Sequence, residues 1–351
     1  MSERTTWVEV RRDALEQNFR SVAEHAGVPV CAVVKGNAYG AGLVEAARVF
    51  ASCGAAMLAV TRLEEARALR DAGVETPILL MMPAPDQSEA VKLGCEITVG
   101  SLDDLGALPG DADVHLKIDT GIGRLGVRPG EALEVARAIA SRARLRAVWT
   151  HFADAAGSGG PGQLTRFTTV VGALRADGIE CEAHAANSAA LLALPASRFD
   201  MVRIGTLLYG QHPIGARAPW ATAEAVSWYA RVAAVRAVPG GTPVGYGSEW
   251  TARADARIAT LPVGYVDGFG ADPNARTPTV VRATRTLANV AMGKAGRWVA
   301  FEGRRAPVVG RVAMHVTTVD VTALPDVAPG SVATLPGRRM MISPSIERIV
   351  T

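Results

Sequence analysis

Eight short apolar, β-branched runs, each followed by a segment of helical period, constrain the fold of this chain more than any other feature. The runs occupy residues 28–34, 56–60, 77–81, 96–99, 114–117, 146–150, 179–184 and 200–204. Between them, 42–50, 62–71, 131–142 and 164–175 set Ala, Leu and Val at helical spacing against Arg and Glu. Strands alternating with helices imply right-handed βαβ units and a parallel sheet. Eight such units within about the first 210 residues predict an α/β fold, a (β/α)8 TIM barrel, over a doubly wound sheet. No G-x-G-x-x-G opens a helix after the first run, which also argues against a dinucleotide-binding fold.

The character changes near Ala221. Alternating patterns at 226–235, 257–262, 307–312 and 316–321, separated by Gly and Pro turns, read as antiparallel strands of a mainly-β C-terminal domain. The expected division is therefore a cofactor-binding barrel over 1–221 and a β-rich domain over 222–351. Residues 271–294, mixed and rich in Ala, Arg and Thr, fit either an inserted ribbon or a surface loop. The early run at 7–10 precedes the first helix and is free to pair with the β domain.

Composition removes several classes of function. The 351 residues carry 37 basic and 34 acidic side chains, a net charge of +3 that gives no footprint for nucleic acid. With 49% hydrophobic and 20% charged residues, the balance is that of a globular chain with a sizeable core. No apolar run approaches the roughly 20 residues a membrane helix needs, and the amino terminus lacks an apolar signal core. A soluble cytoplasmic protein is expected. Cys31, Cys53, Cys95 and Cys181 form no C-x-x-C pair and read as small buried hydrophobes. The 6 histidines include no i, i+4 pair, so no metal site is expected.

In such barrels catalytic residues sit at the carboxyl ends of strands. Lys35 directly follows the first run, where desolvation can lower its pKa and suit it to a Schiff base; a solvated lysine at the start of a loop is the competing reading. The fifth run leads into Lys117-Ile-Asp119-Thr-Gly-Ile-Gly-Arg124-Leu-Gly, a glycine-rich turn with two bases. The sixth ends at Thr150-His151, where a histidine satisfied by a local hydrogen bond is the plainer explanation. The seventh and eighth lead to Asn187-Ser188 and Arg203-Ile-Gly205-Thr206, the usual phosphate cradle of a barrel, although Ser188 also suits an ordinary N-cap and Gly205 an ordinary turn. A desolvated lysine beside a phosphate cradle suggests pyridoxal phosphate. In the second domain, Tyr246 and Tyr265 each lie beside glycine, as acid–base groups or as plain packing.

Together these residues resemble the alanine racemase family of fold-type III pyridoxal-phosphate enzymes. The similarity is carried in order by Ala32-Val-Val-Lys35-Gly-Asn-Ala-Tyr39-Gly, the Lys117–Arg124 segment, Thr150-His151-Phe-Ala, Asn187-Ser188-Ala-Ala, Met201-Val-Arg203-Ile-Gly-Thr-Leu-Leu-Tyr209-Gly, Gly245-Tyr246-Gly, Pro262-Val-Gly-Tyr265-Val-Asp-Gly and Gly310-Arg-Val-Ala-Met314. The resemblance implies a homodimer interconverting L- and D-alanine for peptidoglycan. Lys35 would hold the cofactor covalently and act as one base, and Tyr246, reaching across the dimer, as the other. Arg203 would face the pyridine nitrogen with His151 behind it. Tyr39, Ser188, Gly205 and Thr206 would hold the phosphate, with Asn187 and Tyr209 also on the cofactor side. Arg124, oriented by Lys117 (carbamylated in some relatives), would contact the cofactor phenolate or substrate carboxylate. Tyr265 and the Met314 amide would line the substrate side.

Four departures bear on substrate. His315 stands where the family usually has aspartate, and Ala41 where a histidine often follows Tyr-Gly. The stretch 269–298 is longer than in most relatives, and the carboxyl terminus lacks a Tyr-Glu segment that gives many of them another phosphate contact. The alternatives are a racemase of serine or another amino acid in specialised metabolism, a non-catalytic pyridoxal-phosphate carrier, and a decarboxylase. The β domain with Tyr246 counts against the carrier. The decarboxylase expects a cysteine acid in the second domain, whereas all four cysteines precede residue 182.

Overall fold

The apolar runs become strands because most of their residues are buried on both faces, as a parallel sheet wrapped in helices requires. In the computed structural model, which describes residues 4–270, 297–337 and 339–351, β1 covers Thr6–Val10 and the next eight strands form one parallel sheet. These are β2 (Val30–Val33), β3 (Met57–Val60), β4 (Ile78–Leu80), β5 (Cys95–Val99), β6 (Asp113–Lys117), β7 (Arg144–Trp149), β8 (Glu182–His184) and β9 (Val202–Ile204). All eight expected runs contain a strand.

The hydrogen-bonded order is β8-β7-β6-β5-β4-β3-β2-β9, so the last strand pairs with the first of the set. Asp200 N–H to Ala183 O at 3.0 Å and Arg203 N–H to Ala186 O at 2.9 Å tie β9 back towards β8. The sheet is thus a nearly closed eight-stranded barrel, as expected. Helices Leu43–Ser52, Leu63–Asp71, Ala132–Ala140 and Gly159–Ala176 fall on the four segments of helical period.

Strand partners share a face, because side chains alternate along each strand. The register pairs Cys31 with Met57 and with Arg203, Leu79 with Glu96, Thr98 with His115, and Lys117 with Trp149, which in turn pairs with His184. That row faces the barrel interior, where Cys31, Val33, Met57, Ala59, Leu79 and Met81 form an apolar cluster with Trp149 and Met201. The interior is therefore divided. Strands β2, β3 and β4 supply apolar groups, and β5, β6, β8 and β9 supply charged and polar ones.

The chain clusters into two compact units, Arg11–Ala225 and Met1–Val10 with Val226–Thr351. The expected boundary at 221/222 falls a few residues early, and β1 belongs to the second unit rather than to the barrel domain. It pairs antiparallel with β10 (Val226–Arg231) and parallel with β19 (Arg348–Val350). Its burial explains this: Trp7, Val8 and Val10 are covered, and Trp7 stacks on Tyr229 with centroids 5.6 Å apart. The rest of this sheet includes β11 (Ala234–Val238), β14 (Ala256–Leu261), β15 (Trp298–Phe301), β16 (Arg304–Val309), β17 (Thr317–Asp320) and β18 (Val332–Leu335), while β12 (Pro243–Val244) and β13 (Trp250–Thr251) form a separate ribbon. The segment 271–294 lies outside the described residues. Cys31 and Cys95 are buried as expected, but Cys53 and Cys181 are only half-buried. No helix among the described residues is long and apolar enough to cross a membrane.

Leu58, next to Met57 on β3, points the other way, into the helical layer, and is fully buried. Leu58→Ala should destabilise the barrel unit by about 2–5 kcal/mol, read as a lower urea midpoint.

Candidate active site

Lys35 opens a turn in which Gly36, Asn37, Ala38 and Tyr39 all adopt left-handed backbone, with φ of +64°, +54°, +52° and +55°. Three of these four carry side chains, so the turn stores of order 1 kcal/mol or more at each of them. Surrounding bonds hold it. Gly36 N–H donates to Glu65 Oε1 at 2.7 Å, Ala38 N–H to Val34 O at 2.7 Å, and Leu43 N–H to Asn37 Oδ1 at 2.9 Å. The turn seats the Tyr39 ring on Tyr209, centroids 4.9 Å apart.

A cavity of about 460 Å³ lies at the strand ends of the barrel unit, lined by Lys35, Tyr39, His151, Asn187, Ser188, Arg203, Gly205 and Thr206. Eight of the residues singled out from sequence therefore converge. Gly205 is required by close approach: a Cβ there would stand 2.2 Å from the Tyr39 hydroxyl. Asn187 caps the helix Ser188–Ala193, its Oδ1 accepting from Ala189 N–H at 3.1 Å and Ala190 N–H at 2.9 Å. Ser188 Oγ accepts from Gly205 N–H at 3.3 Å.

Tyr209 does not line the cavity. It is fully buried behind Tyr39, with its hydroxyl donating to Val33 O at 3.0 Å. Arg124 also stays out of the lining, on the exposed tip of a loop whose N–H groups at Gly121, Ile122 and Gly123 all donate to Asp119 Oδ1.

Arg203 is the buried charge of the cavity. Burial pulls the Arg203 guanidinium down only to about 10, so it stays charged at neutral pH. Burial, reinforced by Arg124 and Arg203 against the pull of Glu65, lowers Lys35 from the usual lysine value. Burial and then Arg203 push His151 to about 2, which keeps it neutral. Lys117 falls to about 6, from burial first and then Arg203 and Arg124. Its Nζ lies 3.6 Å from the Trp149 ring centroid, but a mostly neutral amine makes that seat packing rather than cation–π attraction.

Arg203 is held from behind. Nη2 donates to Thr150 O at 2.6 Å, and Nη1 to His184 O and to His184 Nδ1, both at 2.8 Å. His184 is thus the histidine bonded to Arg203, where sequence reasoning placed His151. The inward parity of β8 was the signal that points to it. Two buried nitrogens on cavity-lining residues, Arg203 Nε and His151 Nδ1, are left without a partner, as is Lys117 Nζ deeper in the barrel. A buried unpaired donor is costly unless something fills its place, so these atoms mark where a polar ring would sit.

The other unit carries Tyr246, Tyr265 and Met314, which are 70%, 55% and 53% exposed. Tyr246 sits between β12 and β13, beside a Glu249–Arg311 ion pair that braces the turn. Tyr265 N–H donates to Ala313 O at 3.0 Å and Val266 N–H to Met314 O at 3.2 Å. Gly264 permits this contact, since a Cβ would lie 2.2 Å from both carbonyl oxygens. His315 Nδ1 is 3.9 Å from Asp267 Oδ2, so it sits beside a carboxylate.

The family model described as alanine racemase, N-terminal domain, matches residues 10–213, and the corresponding C-terminal domain model matches 225–350. The chain belongs to the alanine racemase family. It is 35% identical over 346 residues to an alanine racemase of Desulfovibrio desulfuricans, spanning 93% of this chain and 88% of that one. Among solved structures, alanine racemase from Clostridium difficile 630 superposes with a TM-score of 0.87 at 27% identity, covering 100% of this chain and 97% of that one. The Bacillus anthracis alanine racemase with bound L-Ala-P gives 0.85 at 29% identity, covering 100% and 96%. A match in both halves, over nearly the whole chain, sets aside the barrel-only carrier.

The depressed Lys117 has a consequence for stability. Between its folded value near 6 and the ordinary lysine range, the unfolded chain holds a proton the folded one lacks, so stability rises with pH across that window. Lys117→Met should flatten this slope in urea unfolding followed from about pH 7 to about pH 9. An unchanged slope would show that Lys117 is protonated in the fold.

Proposed function

We propose that this chain is a pyridoxal-phosphate-dependent alanine racemase, with the cofactor seated in the Lys35–Arg203 cavity. The observation that carries the reading is the set of unpartnered buried donors around that cavity, Arg203 Nε above all, beside a desolvated lysine. When bound, pyridoxal phosphate spreads the negative charge left when an attached amino acid loses its α-proton. Lys35 would hold it covalently, since burial and neighbouring cations keep its amine available as a nucleophile and base. Tyr39, Ser188, Gly205 and Thr206 would hold the phosphate at the narrow end set by Gly205. Asn187 would keep the capped helix in place there. Tyr209 would act through Tyr39, by stacking.

Arg203 Nε would donate to the pyridine nitrogen. A guanidinium that stays charged has no proton to give up, so the ring would remain a moderate electron sink and side reactions would be restrained. His151, neutral and with Nδ1 unpaired, would accept a bond beside it. Inversion at the α-carbon needs the proton removed from one face and returned to the other, which calls for two bases. Lys35 would serve one face and Tyr246 the other. The exposure of Tyr246 on a braced turn supports its being offered to a second copy of the chain in a homodimer. Tyr265, Met314 and Arg124 would meet the substrate. The balanced composition favours cytoplasmic supply of D-alanine for peptidoglycan.

The test is a panel of L-amino acids incubated with holoenzyme in deuterated water, with α-proton loss and D-isomer followed together. Alanine should exchange and racemise fastest; another amino acid in the lead would move the specificity to His315 and its surroundings, and no exchange would overturn the reading. Lys35→Ala should abolish the bound-cofactor absorbance band. Tyr246→Phe should lower kcat by at least about a hundredfold, and full activity would sink the two-base assignment.

A further inference from the structure

A one-way chain of hydrogen bonds runs from Arg203 across the polar half of the barrel interior. Arg203 Nη1 can only donate, so His184 Nδ1 must accept it, at 2.8 Å. The proton of neutral His184 is then on Nε2, which lies 2.8 Å from His115 Nδ1. His115 Nδ1 must therefore accept as well. That leaves its proton on Nε2, which donates to Glu96 Oε2 at 2.6 Å. An imidazolium at His115 is excluded by the same logic, because its Nδ1–H would oppose the His184 Nε2–H. Both rings are fully buried and meet edge to face, 5.0 Å between centroids.

The end of the chain is an ionised carboxylate. Burial alone would raise Glu96, but the bond from His115 and the charges of Arg146 and Arg144 hold it below the ordinary carboxylate value. Burial, then the charge of Arg203, holds His184 far below the usual histidine value. The facing half of the interior is filled by Cys31, Met57 and Leu79, so nothing about barrel closure demands polar groups here. A buried polar chain satisfied at every link fixes one arrangement of its members.

We propose that Glu96, acting through His115 and His184, is a positioning residue that sets the orientation of Arg203 and offsets its buried charge. The two histidines are locked as Nε2–H tautomers, and the plane of the guanidinium is locked with them. The orphan Nε is fixed with that plane, and the remote carboxylate supplies a second countercharge, in addition to Asp154 of a cavity lining that also holds Lys35, Arg203 and His151. This rests on the proposed role of Arg203.

The test combines side-chain ¹⁵N NMR of histidine-labelled holoenzyme with steady-state kinetics on alanine. In the unsubstituted protein His115 and His184 should both carry their proton on Nε2. Glu96→Gln keeps an acceptor and loses the charge, so the tautomers should persist while kcat falls about tenfold and KM stays within about twofold. Glu96→Leu removes the acceptor, so His115 should populate the other tautomer and kcat should fall about a hundredfold. An Nδ1 proton on either histidine in the unsubstituted protein overturns the proposal, as does Glu96→Leu with unchanged tautomers and kcat. If the leucine variant does not fold, unchanged kcat in Glu96→Gln is the overturning result. The tautomers are read independently of turnover, so loss of the racemase reading and loss of the relay are distinguishable.

Discussion

A charged guanidinium buried at the centre of a barrel is the constraint on which this structure depends. Arg203 is 2% exposed and stays protonated, and an ion so placed is tolerated only when its donors are spoken for. Four of its bonds go backwards, to Thr150 O, Ala185 O, His184 O and His184 Nδ1. They draw on the ends of β7 and β8 and on the first residue past β8. The order of strands in the barrel is therefore also the means of holding the ion. One donor, Nε, is left without a partner, and the proposed cofactor would complete the set.

The same charge organises its neighbours. Lys117, His151 and His184 are all pushed towards their neutral forms by burial and by Arg203, so one cation is kept at the cost of discharging the groups around it. Lys35, lowered by the same forces, becomes a better nucleophile than a solvated lysine. The division of the interior into an apolar half and a polar half goes with it: β2 to β4 provide the packed apolar side, joined by Trp149 of β7, and β5, β6, β8 and β9 carry the electrostatics. The strained turn after Lys35 belongs to the same design, since it brings Tyr39 against Gly205 at the end of the neighbouring strand β9.

Much of this was legible in the sequence, for physical reasons that differ by element. The strands declared themselves where both faces are buried, as in β2, β3, β4 and β9, and by shorter apolar runs in the others. Lys35 and Ser188 were found because catalytic groups follow strand ends, a position that can be counted along the chain, and Arg203 because it lies in the last apolar run, just before Gly205-Thr206. The partner of β1 was left open by the sequence, because a five-residue strand of mixed pattern carries no information about which sheet it joins. Glu96 and His115 were missed as functional groups, because they lie within strands and only the cross-strand register reveals that they share an interior face with His184 and Arg203. Tyr209 was placed on the cofactor side by the family resemblance, whereas its ring lies one layer behind Tyr39.

The most direct measurement is the protonation state of the cofactor's ring nitrogen in the assembled enzyme, read by NMR of pyridoxal phosphate labelled with ¹⁵N at that atom. If Arg203 Nε donates to it while remaining a guanidinium, the nitrogen is unprotonated, and it stays so across the neutral pH range. A pyridinium signal at neutral pH would contradict the account, because it would place a carboxylate, and not Arg203, against the ring.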